Sequence, residues 1–430
     1  MAVQTRLDEC LSIRDGRLFI EECDADALAR RFGTPIYVIS EDQLRRNARR
    51  YRQEFEQRWT EGPVLVLASI KANFALATRW ILSQEGIGCD TFGAGELHAA
   101  LEGAVPPDRI SVNGSIKDAG LIDAAVRAGA RITLDSSAEL DRVRDAAQQL
   151  GRRAAVRFRL RPDFSALTQP TDWYEDETSI GEAAYLYKAG IPTDDALELG
   201  RRAQRMPEID LTGVHAHIGR HTNGTAQWPA IIAAYVALLA TLRDAWNGWT
   251  PRELNLGGGY PVPRDPFGRG MARLQDRTGA VPDLSVYAEV VTGSLRQAMQ
   301  AHGFDRQGVR LEIEPGRGIY GNAGIHLATI RNIKVQRTPE LTVGLRPIRP
   351  TCSCLTLSGS TIAGPRLWPI KRTGRPPGSP TLWARPASRT GSSRMRSSPR
   401  SSPVTRSPSS IRVPTRMAWP VTSTRCLGRG

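Results

Sequence analysis

The chain has 430 residues, 40% of them hydrophobic, which is enough to bury a large core without disulfide staples. No run approaches the ~18–20 apolar residues of a membrane span, and the opening MAVQTRLDECLSIRD lacks an apolar signal core, so neither a membrane protein nor a secreted one is expected. The formal charge of +14 divides unevenly: the 88 residues from Val343 to Gly430 hold 16 Lys and Arg and no acid, leaving 42 basic and 44 acidic side chains, a net of −2, in the first 342.

In chain order, Leu18–Ile20 and a helix opening at Asp24 (DADALARRFG) come first and predict a small domain element over residues 1–35. A repeating rhythm follows. Short β-rich runs occur at Val64–Ile70, Gly88–Phe92, Ile110–Asn113, Arg131–Asp135, Ala155–Leu160, Gly213–Ile218, Glu253–Leu256 and Val309–Ile313. Most read as near-continuous apolar strings, as parallel strands covered by helices require. Between them, Ala94–Glu102 and Ala119–Ala130 place apolar residues three and four apart and end near glycine, the pattern of amphipathic helices. Eight strand–helix units in about 250 residues are the arithmetic of an α/β fold closed as a (β/α)8 barrel. An open doubly wound sheet would want a Gly-rich dinucleotide loop after an early strand, and none is present.

Chemistry in such a barrel sits at the C-terminal ends of the strands. Those ends carry Lys71, Asp90, Asn113, Asp135, Arg159, His217, Gly257-Gly258-Gly259, and Glu314 with Arg317. A single polar strand end is often only wet, but a whole ring of such residues points to a site. Lys71 follows six apolar residues; at a dry barrel mouth its amine becomes a nucleophile or a Schiff-base partner, and otherwise it is a snorkelling side chain. The glycine triplet either turns its amides toward a phosphate or is a plain tight turn. Arg317 offers a second, bidentate phosphate contact. Glu314 has the acidity to keep a pyridine nitrogen protonated. His217 either lies flat on an aromatic cofactor or is a satisfied core histidine.

Taken together these features describe a pyridoxal 5′-phosphate (PLP) site. The chain resembles the PLP-dependent ornithine/diaminopimelate/arginine decarboxylases of the alanine-racemase-like fold, most closely the diaminopimelate decarboxylase branch. The resemblance rests on FGTPIYVIS at 32–40, SIKANFALA at 69–77, GCDTFGAGEL at 88–97, GVHAHIG at 213–219, LNLGGGYP at 254–261 and LEIEPGRGIYGNAG at 311–324, in the family's order. It implies that Lys71 forms the Schiff base with PLP and that His217 stacks on the ring. It further implies that Gly257, Gly258, Gly259, Gly316 and Arg317 hold the phosphate, that Glu314 pairs with the ring nitrogen, and that Asp90, Glu96 and Arg159 line the pocket. A carboxylate at the ring nitrogen keeps a full pyridinium, the strongest electron sink for the carbanion left by loss of CO2; similar-looking racemases have arginine there. Carboxy-lyase chemistry on an amino acid, in a homodimeric cytoplasmic enzyme of lysine biosynthesis, is therefore the expectation. Two departures bear on the substrate: Arg220-His221 follow HIG where the family has serine, and the segment around Tyr187–Gly190 matches loosely.

The expected domains are the 1–35 segment, a PLP-binding barrel over 36–335, and a basic tail over 343–430. The tail is Arg/Ser/Pro-rich and lacks Asp, Glu, Asn, Gln, His, Phe and Tyr, with too few apolar runs to bury a core. Shifted by one base, synonymous codons for 343–365, 383–388 and 418–429 can spell acidic, family-like segments in order, so the tail reads as out of frame from about residue 342. The family's C-terminal β domain completes the partner's active site and carries the proton donor, and its loss is expected to impair turnover. Two further readings remain: a non-decarboxylating PLP barrel (racemase or PLP-binding protein), and a nucleic-acid-binding protein acting through the tail's arginines. For the second, scattered tryptophans give no stacking platform, and nucleic acid is not the expected partner. Six cysteines, at 10, 23, 89, 352, 354 and 426, show no zinc spacing. A reduced compartment and no metal are expected.

Overall fold

Side-chain oxygens placed one residue ahead of amphipathic runs start the outer helices. Asp24 accepts hydrogen bonds from the amides of Asp26 and Ala27 at 2.8 and 3.2 Å and opens α1 (Ala25–Phe32). Ser40 Oγ accepts from the Gln43 amide at 3.0 Å and opens α2 (Glu41–Glu56), whose Leu44, Ala48, Tyr51 and Phe55 recur on one buried face. The computed structural model describes residues 4–6, 9–168, 179, 181–182, 189–217, 224–260 and 283–329, together with two short strands at 334–336 and 342–344.

Four short strands, β1 (Gln4–Arg6), β2 (Leu11–Arg14), β3 (Arg17–Ile20) and β4 (Cys23–Asp24), form an antiparallel sheet. A separate pair joins β5 (Ile36–Ile39) to β14 (Gly324–Leu327), and a small cluster of Cys10, Leu11, Ile20, Ala25 and Ile325 packs there. Eight parallel strands then close on themselves in sequence order: β6 (Val64–Ser69), β7 (Gly88–Thr91), β8 (Ile110–Val112), β9 (Arg131–Leu134), β10 (Ala154–Arg159), β11 (Ile209–His215), β12 (Glu253–Asn255) and β13 (Arg310–Ile313). The last strand returns to the first in the register Leu311↔Val64, Glu312↔Leu65, Ile313↔Val66. All eight sequence-predicted runs are barrel strands, and the fold is a (β/α)8 barrel with a small N-terminal β sheet. The strand β11 starts four residues earlier than its apolar run, because Asp210 and Thr212 break the apolar string while the backbone stays extended.

The barrel interior is not the apolar packing that the strands suggest. Along each strand every second side chain points inward, and several of these are charged. Arg157, wholly buried, donates to Thr133 Oγ1 at 2.8 Å, and also hydrogen-bonds Ser111 and Glu312. Arg131 Nη2 lies 3.0 Å from a Glu312 oxygen, and Arg310 pairs with Glu253. The intervening residues, such as Ile132, Leu134, Val156, Phe158, Leu254 and Leu311, face the helices and belong to the main apolar cluster.

One helix overturns the expectation that no apolar run reaches span length. Trp228–Ala245 is long and apolar enough to cross a membrane by length and composition. Trp228, Ile231, Ile232, Tyr235, Val236, Leu239 and Leu242 on it are buried in the protein core, and this burial accounts for its apolar character. Among the described residues the chain divides into two units, one running to Thr329 and a second that begins at Ile330. In the second unit, β15 (Lys334–Gln336) pairs antiparallel with β16 (Thr342–Gly344). The remainder of the basic tail lies outside the described residues, as do Arg220, His221 and Tyr187–Lys188.

Candidate active site

The strand ends that face one another across the barrel mouth enclose a cavity of about 240 Å³, lined by Lys71, Asp90, Phe92, Glu96, Asn113, Arg159, His215, His217 and Glu314. Lys71 leaves β6 on a single 3-10 turn, Ile70–Ala72, closed by the Asn73 amide donating to the Ile70 carbonyl at 2.9 Å. Its amine stands 3.7 Å from Asp90 Oδ2 and 5.7 Å from the centre of the Phe92 ring. Asp90 is itself fixed on both oxygens: Ser69 Oγ donates to Oδ2 at 2.7 Å and Asn113 Nδ2 to Oδ1 at 2.8 Å.

Glu314 follows β13 and is 5% exposed. Its Oε1 accepts from Asn113 Nδ2 at 2.6 Å and from Asn255 Nδ2 at 2.8 Å. Its Oε2 lies 3.3 Å from His215 Nε2, and Arg157 Nη2 stands 4.0 Å from Oε1. Burial pushes the Glu314 carboxyl above the usual carboxylate range, against the opposing pull of Arg157 and Lys71. Burial, reinforced by Arg159 and Arg157, holds the His215 imidazole well below its ordinary value, so it is neutral at pH 7. Glu96, in the first turn of α3 (Ala94–Glu102), accepts from the Phe92 amide at 2.8 Å; burial raises its carboxyl as well.

The glycine loop is shaped by close approach. Gly257 has φ of +67°, and a Cβ there would stand 2.7 Å from His217 Cα; on Gly258 it would stand 2.5 Å from the Glu314 carbonyl oxygen. The Gly257 amide donates to Asn255 Oδ1 at 2.8 Å, and the Gly258 amide donates to His217 Nδ1 at 3.2 Å. This second bond makes Nδ1 the acceptor and fixes the face that His217 turns to the cavity. Gly259 also has positive φ, at +104°. The turn at Gly316 and Arg317 packs beside β6: the Ser69 amide donates to the Pro315 carbonyl at 3.3 Å, and the space at Gly316 opens onto Ser69 and Ala72. Arg159, the last residue of β10, lies 3.8 Å from Asp135 Oδ1.

The sequence-predicted residues Lys71, Asp90, Glu96, Arg159, His217 and Glu314 thus share one cavity; Gly257 and Gly258 pack against His217 and Glu314, and the turn at Gly316 packs beside β6. Four residues escaped the sequence reading, the first being Phe92, two positions after Asp90. His215 and Asn255 sit two positions before His217 and Gly257, on the same inward face, and Arg157 sits two before Arg159. The period-two spacing from each predicted strand end would have found them.

The donor set fits PLP: an amine, a buried carboxylate and an imidazole face meet around a hollow, a glycine loop hydrogen-bonds that imidazole from behind, and His215 Nδ1 is buried without a hydrogen bond. Comparison with known proteins agrees. Residues 41–321 match the family model described as "Pyridoxal-dependent decarboxylase, pyridoxal binding domain". The chain is similar to the diaminopimelate decarboxylase of Pseudomonas aeruginosa, at 30% identity over 76% of this chain and 70% of that protein. It is similar to that of Zymomonas mobilis at 28% identity, covering 77% and 72%. Among solved structures, diaminopimelate decarboxylase from M. jannaschii superimposes with a TM-score of 0.66 at 28% identity, covering 77% of this chain and 71% of that one. The same enzyme in co-complex with L-lysine gives 0.65. The chain belongs to the pyridoxal-dependent decarboxylase family, and its cofactor is PLP.

Proposed function

We propose that the chain is a carboxy-lyase acting on a basic or diamino amino acid, diaminopimelate being the first candidate. One observation carries this reading: the acid at 314 ends the last barrel strand at the same cavity as Lys71. Bound there, the cofactor supplies an electron sink for the bond that breaks to release CO2. The protein's residues do the rest. Lys71 offers its amine to the cofactor's aldehyde, and Asp90 and Phe92 keep that amine at the cavity mouth. Glu314 holds a proton on the ring nitrogen. His217 covers one ring face with an orientation set by the Gly258 amide. Gly257–Gly259, Gly316 and Arg317 take the phosphate, and Asp90, Glu96 and Arg159 line the substrate's side. The likeness to diaminopimelate decarboxylases supports the substrate class, and a homodimer in the cytoplasm belongs to the same reading. The racemase and nucleic-acid readings gain no support from the relatives named above.

The test is direct. Purified protein is incubated with PLP and reduced with borohydride, and CO2 release is measured from diaminopimelate, lysine, ornithine and arginine. Covalent PLP on Lys71, lost in Lys71→Ala, together with CO2 from one of these substrates, is the expected result. A parent chain that fixes PLP but interconverts enantiomers without releasing CO2 would overturn the lyase assignment.

A further inference from the structure

We propose that His215 is a positioning residue that steers the Glu314 carboxylate toward the cofactor's ring nitrogen through its Nε2–H; the inference rests on the PLP site proposed above. Glu314 has two oxygens with unequal company. Oε1 is saturated by the amides of Asn113 and Asn255 at 2.6 and 2.8 Å. Oε2 meets His215 Nε2 at 3.3 Å. A carboxylate oxygen has two acceptor directions, so His215 takes one on Oε2 and leaves the other for a donor arriving from the cavity. Rotation of the carboxylate would break all three bonds together.

The protonation state of His215 decides what kind of partner it is. A charged imidazolium here would neutralise Glu314 and compete with the pyridinium. Burial, with Arg159 and Arg157 nearby, keeps the ring neutral, so its bond orients the acid and leaves its charge intact. The acceptor opposite assigns the proton to Nε2, and Nδ1 is then the atom found buried without a partner. The other charged groups around Glu314 are Arg157, Arg159, Lys71, Asp90 and Glu312; none donates to Oε2 within the described hydrogen bonds.

The experiment compares His215→Ala, which removes the donor, with His215→Gln, which restores one. The readouts are PLP affinity by absorbance titration, its pH dependence, and the melting temperature of the PLP-free protein. A hydrogen bond to the ionised form favours that form. Its loss therefore moves the acid limb of PLP binding to higher pH. We expect His215→Ala to bind PLP about tenfold more weakly at pH 7, equivalent to about 1.4 kcal/mol, with the acid limb displaced upward, and His215→Gln to recover most of both. If alanine unfolds the barrel, His215→Met fills the volume without a donor and takes its place. A donor-free variant that melts lower yet keeps the parent's PLP affinity and pH profile assigns His215 a purely packing role and overturns the proposal. A parent chain that takes up no PLP at all instead defeats the reading beneath it.

Discussion

A carboxyl group buried as deeply as Glu314 is unfavourable when ionised unless something cationic meets it. Two neutral amides and one imidazole orient it, and Arg157 at 4.0 Å supplies a distant positive field. The arrangement suits a cation that comes and goes with the cofactor. Glu314→Gln keeps the shape and loses the charge. We predict a fall in kcat of about a hundredfold to a thousandfold, the scale of removing one preorganised electrostatic contact, with the melting temperature of the PLP-free protein unchanged or raised; steady-state assay and thermal melts check both. Lys71, His217 and Glu314 could be read from the chain because each closes a strand at the barrel mouth. His215 and Asn255 were missed because attention stopped at the residue that closes each strand; a polar residue two positions earlier shows its inward face only when the alternation is counted back from that end.

At the level of elements, the barrel is tied together by contacts that leave no room for even one methyl group. Gly200, on α4 (Thr193–Ala203), faces the buried Trp246 ring at the end of Trp228–Ala245; a Cβ there would stand 2.0 Å from Trp246 Cε2. Gly200→Ala therefore forces the ring or the helix to move. A loss of about 1–3 kcal/mol is expected, measured by denaturant titration. Inside the barrel, Arg157→Met strands the wholly buried Glu312 without its principal partner. Removing one member of a buried pair costs about 3–5 kcal/mol, and chemical unfolding of that variant should show it. The eight strands were readable from their β-rich runs, and the helices from their spacing. The charged interior was under-read for a reason visible in RITLD, VRFRL and RLEI: the charges alternate with large apolar residues, and the apolar half dominates a scan for hydrophobic runs.

For the molecule as a whole, two neighbouring acids on β13 and just beyond it give stability opposite dependences on pH. Burial pushes Glu312 up, but Arg157, Arg131 and Arg310 outweigh it and hold the group at about 2. Its contribution is complete above about 4.5, its ordinary value, and is lost as pH falls toward 2. Glu314 is shifted the other way, so its ionisation costs stability as pH rises from 4.5 through its folded value. The PLP-free protein should therefore lose stability steeply below pH 4.5 and more gently above it. In Glu314→Gln the second slope should flatten while the first persists, as denaturation curves across pH would record. Domain organisation was legible only as far as the barrel. The frame-shifted reading of residues 343–430 stands on the genetic code, and sequencing the gene tests it: stop codons throughout the shifted frame would end it.

The positive charges sunk beneath Glu314 also limit which chemistries descendants of this chain could reach. The similar racemases carry arginine where this chain has its acid. Placed at 314 here, a guanidinium would sit within a few ångströms of Arg157, with Arg159 lining the same hollow and Arg131 further down the axis. One codon change would then create a cluster of like charges with too few acids to answer it. An arginine at 314 would therefore first require the interior beneath it to be rewritten, so the acid at the mouth and the guanidiniums below it are bound to change together.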